Sequence, residues 1–373
     1  MKVDDLKNIF SKMNFEFEND ILIRKVLSKI NDLKWFFVGG VVRDALLGYE
    51  TYDIDITIQA TPEEILERMK EFSTSIVGQR FGTIGVFIGK WKIELTSTRI
   101  DVKTFGRHAE VEFGGSFLQD SERRDFTFNS LLYRENEIID FHDGIKDLYE
   151  RKIKFIGNAR QRIEEDYLRI IRYIRFFVRY GDLTTISQDD LLLLSENLHG
   201  LKHVSLERIM NEIVLMSKNI NTKNAFELFN EIGISNFLWN QNLSLEFDEN
   251  DMYFKKVARA FRKFKIKLPL NKEIRNLLET YQVFYKNKIS NEFSYEKNII
   301  FLWYKKGFES AKEYIETIYL DRIDYLFLLQ KDWSKFENIN LSFLNGFERG
   351  IAELNLRYNF LFKNEIEYQK GIF

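Results

Sequence analysis

The sequence predicts an α+β protein, a mixed-sheet domain followed by an all-helical region. Three observations predict it. Short β-favouring runs separated by glycine-containing turns fill the front of the chain. From about Ala159 onward the apolar residues recur at helical spacing instead. The chain has 373 residues, 45% of them hydrophobic, with only 2 Pro and 19 Gly, so it can bury a large core and exceeds what one compact domain usually holds.

The elements follow in order. WFFV (Trp35 to Val38) reads as a buried strand, VVRDALLG after it as a short helix, and DIDITI (Asp53 to Ile58) as a second strand. PEEILERMKEF reads as a helix with Pro62 at its first position. IGVFI (Ile84 to Ile88) and WKIELT (Trp91 to Thr96) read as further strands. Helical periodicity then runs through EEDYLRIIRYIRFFVRY, QDDLLLLSENL, SLERIMNEIVLM and KNAFELFNEI. The expected division is 1–158 for the sheet domain, 159–217 for a first helical domain and 218–373 for the remaining helical region. No repeat or low-complexity tract interrupts it.

Composition narrows the chemistry. Cys is absent, which removes disulfides, thiolate zinc sites and a thiol nucleophile, and 4 His form no close metal-binding pair. A metal is therefore expected on carboxylates, which suits Mg²⁺ or a similar hard cation. No run approaches the roughly eighteen apolar residues of a membrane span, and the first residues resemble neither a signal nor a transit segment, so a cytoplasmic protein is expected. The net charge of -2 argues against a wholly basic nucleic-acid binder and leaves local basic surfaces open.

Gly39 and Gly40 end a strand and open a helix, where free backbone N–H groups favour a phosphate; alone, such a pair is also an ordinary tight turn. Asp53 and Asp55 are two apart on a strand and project from one face. Adjacent carboxylates repel, so such a pair either faces solvent or binds a cation. A third carboxylate, Glu94, shares its strand face with Lys92 and Thr96. Three carboxylates around two Mg²⁺ ions make a site for in-line displacement at phosphorus, so nucleotidyl transfer is the leading reaction.

FVGGVVRDALLG with DID shortly after, then ERRDFTFNSLLY, then DFHDGIKDLYERKIKFIGNARQRIEEDYLRIIRYIRF, resembles the class II tRNA nucleotidyltransferases, the CCA-adding enzymes, and the related bacterial-type poly(A) polymerases. The resemblance runs from about Trp35 to Arg175, with weaker similarity at SLERIMNEI; TSTRIDVKTFGRHAEVEF resembles the α-proteobacterial and mitochondrial CCA-adding branch. Phe105 stands where that branch has a polar or acidic residue. The resemblance implies a polymerase β-like head, a nucleotide-recognising neck and a tRNA-binding body and tail. It implies catalysis by Asp53 and Asp55, with the metals on that pair, beside which Glu94 stands as the third catalytic candidate from the strand pattern. It implies triphosphate contact by Arg43, with Asp44 holding Arg43 in place, and recognition of the incoming sugar and phosphates by Arg124, Asp125 and Asn129. Tandem charges at a helix start are the plainer reading of that last cluster.

Asp166 and Arg169 are spaced i, i+3 and are expected on one helix face. Cytosine and adenine both place an amino donor beside a ring-nitrogen acceptor, which a carboxylate and a guanidinium match; uracil and guanine reverse the pattern. The resemblance assigns Glu165, Asp166 and Arg169 to such a protein template, against the plainer reading of a surface ion pair. Arg172, Arg175 and Arg179 continue the basic side of this helix, where Arg172 and Arg175 are expected to bind nucleotide, and Arg160 and Arg162 precede it. KKVARAFRKFKIKLPLNK (Lys255 to Lys272) has eight basic residues and no acidic one, which suggests an RNA-backbone surface over buried Phe rings. The expected activity is addition of CCA to tRNA from CTP and ATP; an A-adding enzyme or poly(A) polymerase is the nearest alternative, and a non-catalytic RNA-binding protein the more distant one.

Overall fold

The computed structural model describes residues 1–278 apart from 52, 77–81, 106–107, 183–185, 220, 265–267, 272–273 and 276–277; the side chains of 76 and 101–111 are also outside the described set. Strands β1 (Trp35–Val38), β2 (Asp53–Ile58), β3 (Ser73–Ile76), β4 (Thr83–Ile88), β5 (Trp91–Ser97), β8 (Leu132–Arg134) and β9 (Glu137–Ile139) form one sheet in the order β3-β4-β5-β2-β1-β8-β9. Strands β6 (Arg99–Phe105) and β7 (His108–Phe113) make a separate hairpin. Within the sheet β2 and β5 run parallel and the other neighbours antiparallel, so the sheet is mixed.

Helices α1 (Ile21–Leu27), α2 (Gly40–Leu46), α3 (Pro62–Arg68), α4 (Phe117–Glu122) and α5 (Gly144–Tyr149) accompany the strands. Their ends carry the signals expected of helix starts. The Asp20 carboxylate accepts from Leu22 N before α1, Thr61 accepts from Glu64 N before α3 with Pro62 following, and Ser116 and Gln119 form a capping box on α4. Beyond them the described chain is helical: α6 (Ala159–Glu165), α7 (Leu168–Tyr180), α8 (Gln188–Glu196), α9 (Leu206–Ser217), α10 (Thr222–Glu231), α11 (Ile234–Trp239) and α12 (Tyr253–Ala260). The α+β class read from the sequence is the class observed.

Contacts divide the chain into two units. The first holds Met1–Glu212 and Glu227–Asn240, the second Ile213–Phe226 and Gln241–Phe373. In the first, strand alternation turns Ile54, Ile56, Ile93 and Leu95 inward, all fully buried. Phe126 and Phe128 stack on one another and meet Phe176 of α7 edge-on at 5.3 and 5.6 Å between centroids, which seats α7 on the segment before β8. In the second, Phe226 meets Phe247 edge-on, and Phe261 meets Phe264, with Val257 and Ala258 buried nearby on α12.

Two sequence expectations change here. The helix expected across residues 164–180 is two helices, because Asp166 leaves helical geometry at φ -151° and ψ 100°. Its carboxylate accepts from Leu168 N at 3.2 Å, and such local side-chain hydrogen bonds compete with the helix ladder. The basic run from Lys255 is the second change. Among its described residues Lys256 is buried and donates to Asn219 O, Arg259 pairs with Asp251 at 2.8 Å, and Arg262 pairs with Glu246. The acids lie just upstream, so a window beginning at Lys255 misses them. Phe261 and Phe264 are buried as expected, while residues 265–267 and 272 lie outside the described residues.

Gly144 opens α5 where an added Cβ would lie 2.4 Å from the Thr127 carbonyl oxygen. That contact is backbone and has no easy relief. Gly144→Ala is expected to cost about 2 kcal/mol, as other overpacked positions do, and to lower Tm by several degrees in a thermal melt.

Candidate active site

The site begins at the turn between β1 and α2. Gly39 sits at φ 71° and ψ -118°, and a Cβ there would lie 3.1 Å from Asn129 O and 3.5 Å from an Arg124 terminal nitrogen. Glycine is required by both conformation and crowding. β1 and β2 pair antiparallel, which brings this turn beside the start of β2.

Parallel pairing of β2 with β5 sets Asp53 against Lys92 and Asp55 against Glu94. Asp53 is exposed, while Asp55, Lys92 and Glu94 are half-buried and alternate with buried Ile54, Ile93 and Leu95. The expected face is the observed one. Burial, then the Glu94 charge, then Asp53 push the Asp55 carboxyl up to about 6, against the pull of Arg124 and Lys92. The three carboxylates do not form one ligand cluster: Glu94 turns onto Lys92 at 2.6 Å, and among the described residues no three His, Asp or Glu side chains are placed to hold a metal. Asp53 and Asp55 offer hard oxygens of the kind a divalent cation takes, and at Asp55 burial and the neighbouring carboxylates outweigh Arg124 and Lys92.

Arg124 lies between this pair and a buried anchor. Its guanidinium donates to Asp120 Oδ2 at 3.1 Å, and its charge acts on Asp55. Arg43, Asp125 and Asn129 lie deeper. Arg43 Nε donates to Asp44 at 2.8 Å and a terminal nitrogen donates to Asn129 Oδ1 at 2.5 Å. Asn129 Nδ2 donates to Asp125 Oδ1 at 3.0 Å, and the other Asp125 oxygen receives Arg172 at 2.6 and 2.7 Å. Burial acts to raise the Asp125 carboxyl, but Arg172 and Asn129 outweigh it and hold the group down at about 2. Arg172 and Arg175 also meet Glu212 at 3.4 and 2.8 Å. Asp44, expected to hold Arg43, does so, and it also accepts from Tyr180 at 2.8 Å.

The template residues are separated by the helix break. Arg169 donates to Glu165 at 2.9 Å and to the carbonyls of Arg162 and Arg123, whereas Asp166 receives a two-pronged contact from Arg208 at 2.7 and 3.2 Å. Asp166 and Arg169 therefore do not share one helix face, contrary to their spacing. Arg160 pairs with Glu196 and Arg162 with Glu165. Arg208 and Glu212 were not singled out from sequence. Their signal was the i, i+4 spacing within SLERIMNEI, which places both on one side of α9.

A glycine turn, two same-face carboxylates on the neighbouring strand and an arginine thus come together in the sheet-bearing part of the chain. Residues 35–154 match the family described as the Poly A polymerase head domain. The chain is 37% identical over 212 residues to the mitochondrial CCA tRNA nucleotidyltransferase 1 of Danio rerio, covering 56% of this chain and 49% of that protein. It is 39% identical over 199 residues to the CCA-adding enzyme of Enterococcus faecalis, covering 52% and 48%. The chain thus spans about half the length of these curated relatives. The fold is like that of the Bacillus stearothermophilus CCA-adding enzyme solved in complex with CTP, with a TM-score of 0.61 and 23% identity over 82% of this chain and 79% of that one. The match to the Poly A polymerase head domain is confined to residues 35–154, the sheet-bearing part of the chain.

The raised Asp55 carboxyl predicts a stability effect with a definite sign. A carboxyl held near 6 in the folded chain and near 3.8 unfolded binds its proton more tightly when folded. Stability from this group is present below pH 3.8 and is lost as pH rises toward 6. Asp55→Asn is expected to stabilise the metal-free protein at pH 7 by about 1–3 kcal/mol, with the gain vanishing near pH 4, as urea melts at the two pH values would show.

Proposed function

We propose that this protein adds CCA to the 3′ end of tRNA from CTP and ATP without a nucleic-acid template, releasing pyrophosphate. The observation that carries the reading is the strand register: Asp53 and Asp55 share a face on the strand next to the Gly39 turn, with Arg124 beside them. The proposed domains are a head over 1–158, a nucleotide-recognising neck over 159–217 and a tRNA-binding body and tail over 218–373. A cytoplasmic location is part of the proposal; among the described residues no helix is long and apolar enough to cross a membrane.

In this reading the tRNA 3′ hydroxyl attacks the α-phosphorus in line and pyrophosphate departs. Asp53 and Asp55 hold divalent cations, for which Mg²⁺ is proposed, and their repulsion is relieved by that charge. When bound, such ions neutralise triphosphate charge and favour the ionised form of the attacking hydroxyl. Arg124 and the Gly39–Gly40 turn bind phosphate oxygens. Glu94 flanks Asp55 and, with Lys92, adjusts the charge there.

Arg43, Asn129 and Asp125 set the site through their buried hydrogen bonds, and Arg172 and Arg175 extend it along α7. Base choice falls to Asp166 and Arg169, with Glu165 orienting Arg169. A carboxylate offers about four lone-pair sites, and Arg208 and Leu168 N use three on Asp166. One acceptor is enough for the amino group of cytosine or adenine. Uracil and guanine place a carbonyl there, and the mismatch leaves desolvated groups unpaired.

The nearest alternative is A-only or poly(A) addition, since the same residues serve it. The length of chain from Ile100 to Glu122, whose residues 106–107 lie outside the described set, favours full CCA addition by resemblance to enzymes that switch from C to A.

Purified protein incubated with tRNA lacking CCA is expected to extend it to full length only when CTP and ATP are both supplied. Extension with ATP alone would select the alternative. Asp53→Ala is expected to lower transfer at least a thousandfold while tRNA affinity in a filter-binding assay changes little. Asp166→Ala is expected to narrow the preference for CTP and ATP over UTP and GTP by about tenfold or more in kcat/KM, and unchanged discrimination would remove Asp166 from base reading.

A further inference from the structure

Asp120 is a carboxylate that neither the sequence motifs nor the proposed chemistry uses. It is 1% exposed, so it cannot touch a bound nucleotide. Yet its oxygens receive donors from three directions. Oδ1 accepts from Arg123 at 2.6 and 2.8 Å and from the backbone N–H of Arg99 at 3.4 Å; Oδ2 accepts from Arg124 at 3.1 Å and from the Thr57 hydroxyl at 3.4 Å. Thr57 belongs to β2, the strand of Asp53 and Asp55, and Arg99 opens β6. The carboxylate is therefore fixed by the sheet, by the root of the β6–β7 hairpin and by α4.

Arg124 stands between two attractions. Asp120 holds it on one side, and Asp55 draws it electrostatically on the other. One guanidinium cannot remain fully committed to both. An arginine drawn onto Asp55 would neutralise the carboxylates with its own charge and leave the Gly39 turn. Arg124 Nε is buried without a hydrogen-bond partner among the described residues, so donor capacity is left over. We infer that Asp120 is a positioning residue for nucleotide binding: its buried carboxylate keeps the Arg124 guanidinium beside the Gly39 turn and off Asp55. The inference rests on the reading of this site as one that binds a nucleoside triphosphate.

The test is a double-variant cycle read by CTP affinity rather than by turnover. Isothermal titration of CTP, in Mg²⁺ and separately in EDTA, is run on the full chain as wild type, Asp120→Asn, Arg124→Ala and the double variant. Asp120→Asn is expected to raise the Kd for CTP about tenfold in both buffers, the scale of one charge-assisted hydrogen bond. The double variant is expected to bind no more weakly than Arg124→Ala, because residues acting through one contact are not additive. Asp120→Glu, which restores the charge, is expected to recover part of the loss. An unchanged Kd in Asp120→Asn, or losses that add in the double variant, would overturn the inference. If Asp120→Asn does not fold by circular dichroism, Asp120→Ser, which also removes the charge, takes its place in the cycle, and an unchanged Kd there overturns it equally. A wild-type chain that binds no CTP would instead overturn the nucleotidyl-transfer reading, and this inference with it.

Discussion

A continuous buried chain of charge and hydrogen bonds holds the first unit in its working arrangement. It runs from Asp44 through Arg43, Asn129 and Asp125 to Arg172, and from there to Glu212 and Arg175. Three arginines face three carboxylates, and the amide of Asn129 joins the halves by accepting at one end and donating at the other. Burying any one of these ions alone is costly, so the set is stable only as a set. Its members come from α2, from the segment before β8, from α7 and from α9. Satisfying the charges therefore fixes where the Gly39 turn stands relative to the arginine-bearing face of α7.

Aromatic packing supports the same joint. Phe176 receives the guanidinium groups of Arg43, Arg172 and Arg175 at 5.3, 5.2 and 4.3 Å from its ring centre, while its edge meets Phe126 and Phe128. Cations gathered around one ring repel one another, and the Arg175 guanidinium is lowered to about 10 by burial first and then by Arg172 and Arg43, with Glu212 opposing. The group remains charged at neutral pH. Much of the positive charge near the head is thus spent on structure.

The carboxylates of β2 are treated in the opposite way. Asp125 and Asp120 are matched by arginines and hold their charge easily, whereas Asp55 stands beside Glu94 and Asp53 and is ionised at a cost. The matched acids serve the structure, and the mismatched one is where the proposed cation would relieve a repulsion. This contrast separates the proposed metal residues from four other acids of the same unit. Asp44, Asp120, Asp125 and Glu212 each have arginine partners within the fold.

What the sequence determined by itself was local. Strands β1, β2, β4 and β5, helices α2 and α3, the glycine turn and the shared face of Asp53 and Asp55 were legible because period and turn chemistry are properties of neighbouring residues. The resemblance of residues 35–154 to the Poly A polymerase head domain was legible because the motifs keep their order along the chain. Partner choice was decided by tertiary structure. Asp166 met Arg208 and not Arg169, Arg172 met Asp125, and the basic run after Lys255 met acids just upstream of the window in which it was read. A charged side chain seeks the nearest opposite charge in space, and spacing along one helix does not reveal what another element brings to it. The same reason hid Asp120, whose partners on β2 and β6 are far from it in sequence and close only in the folded sheet domain.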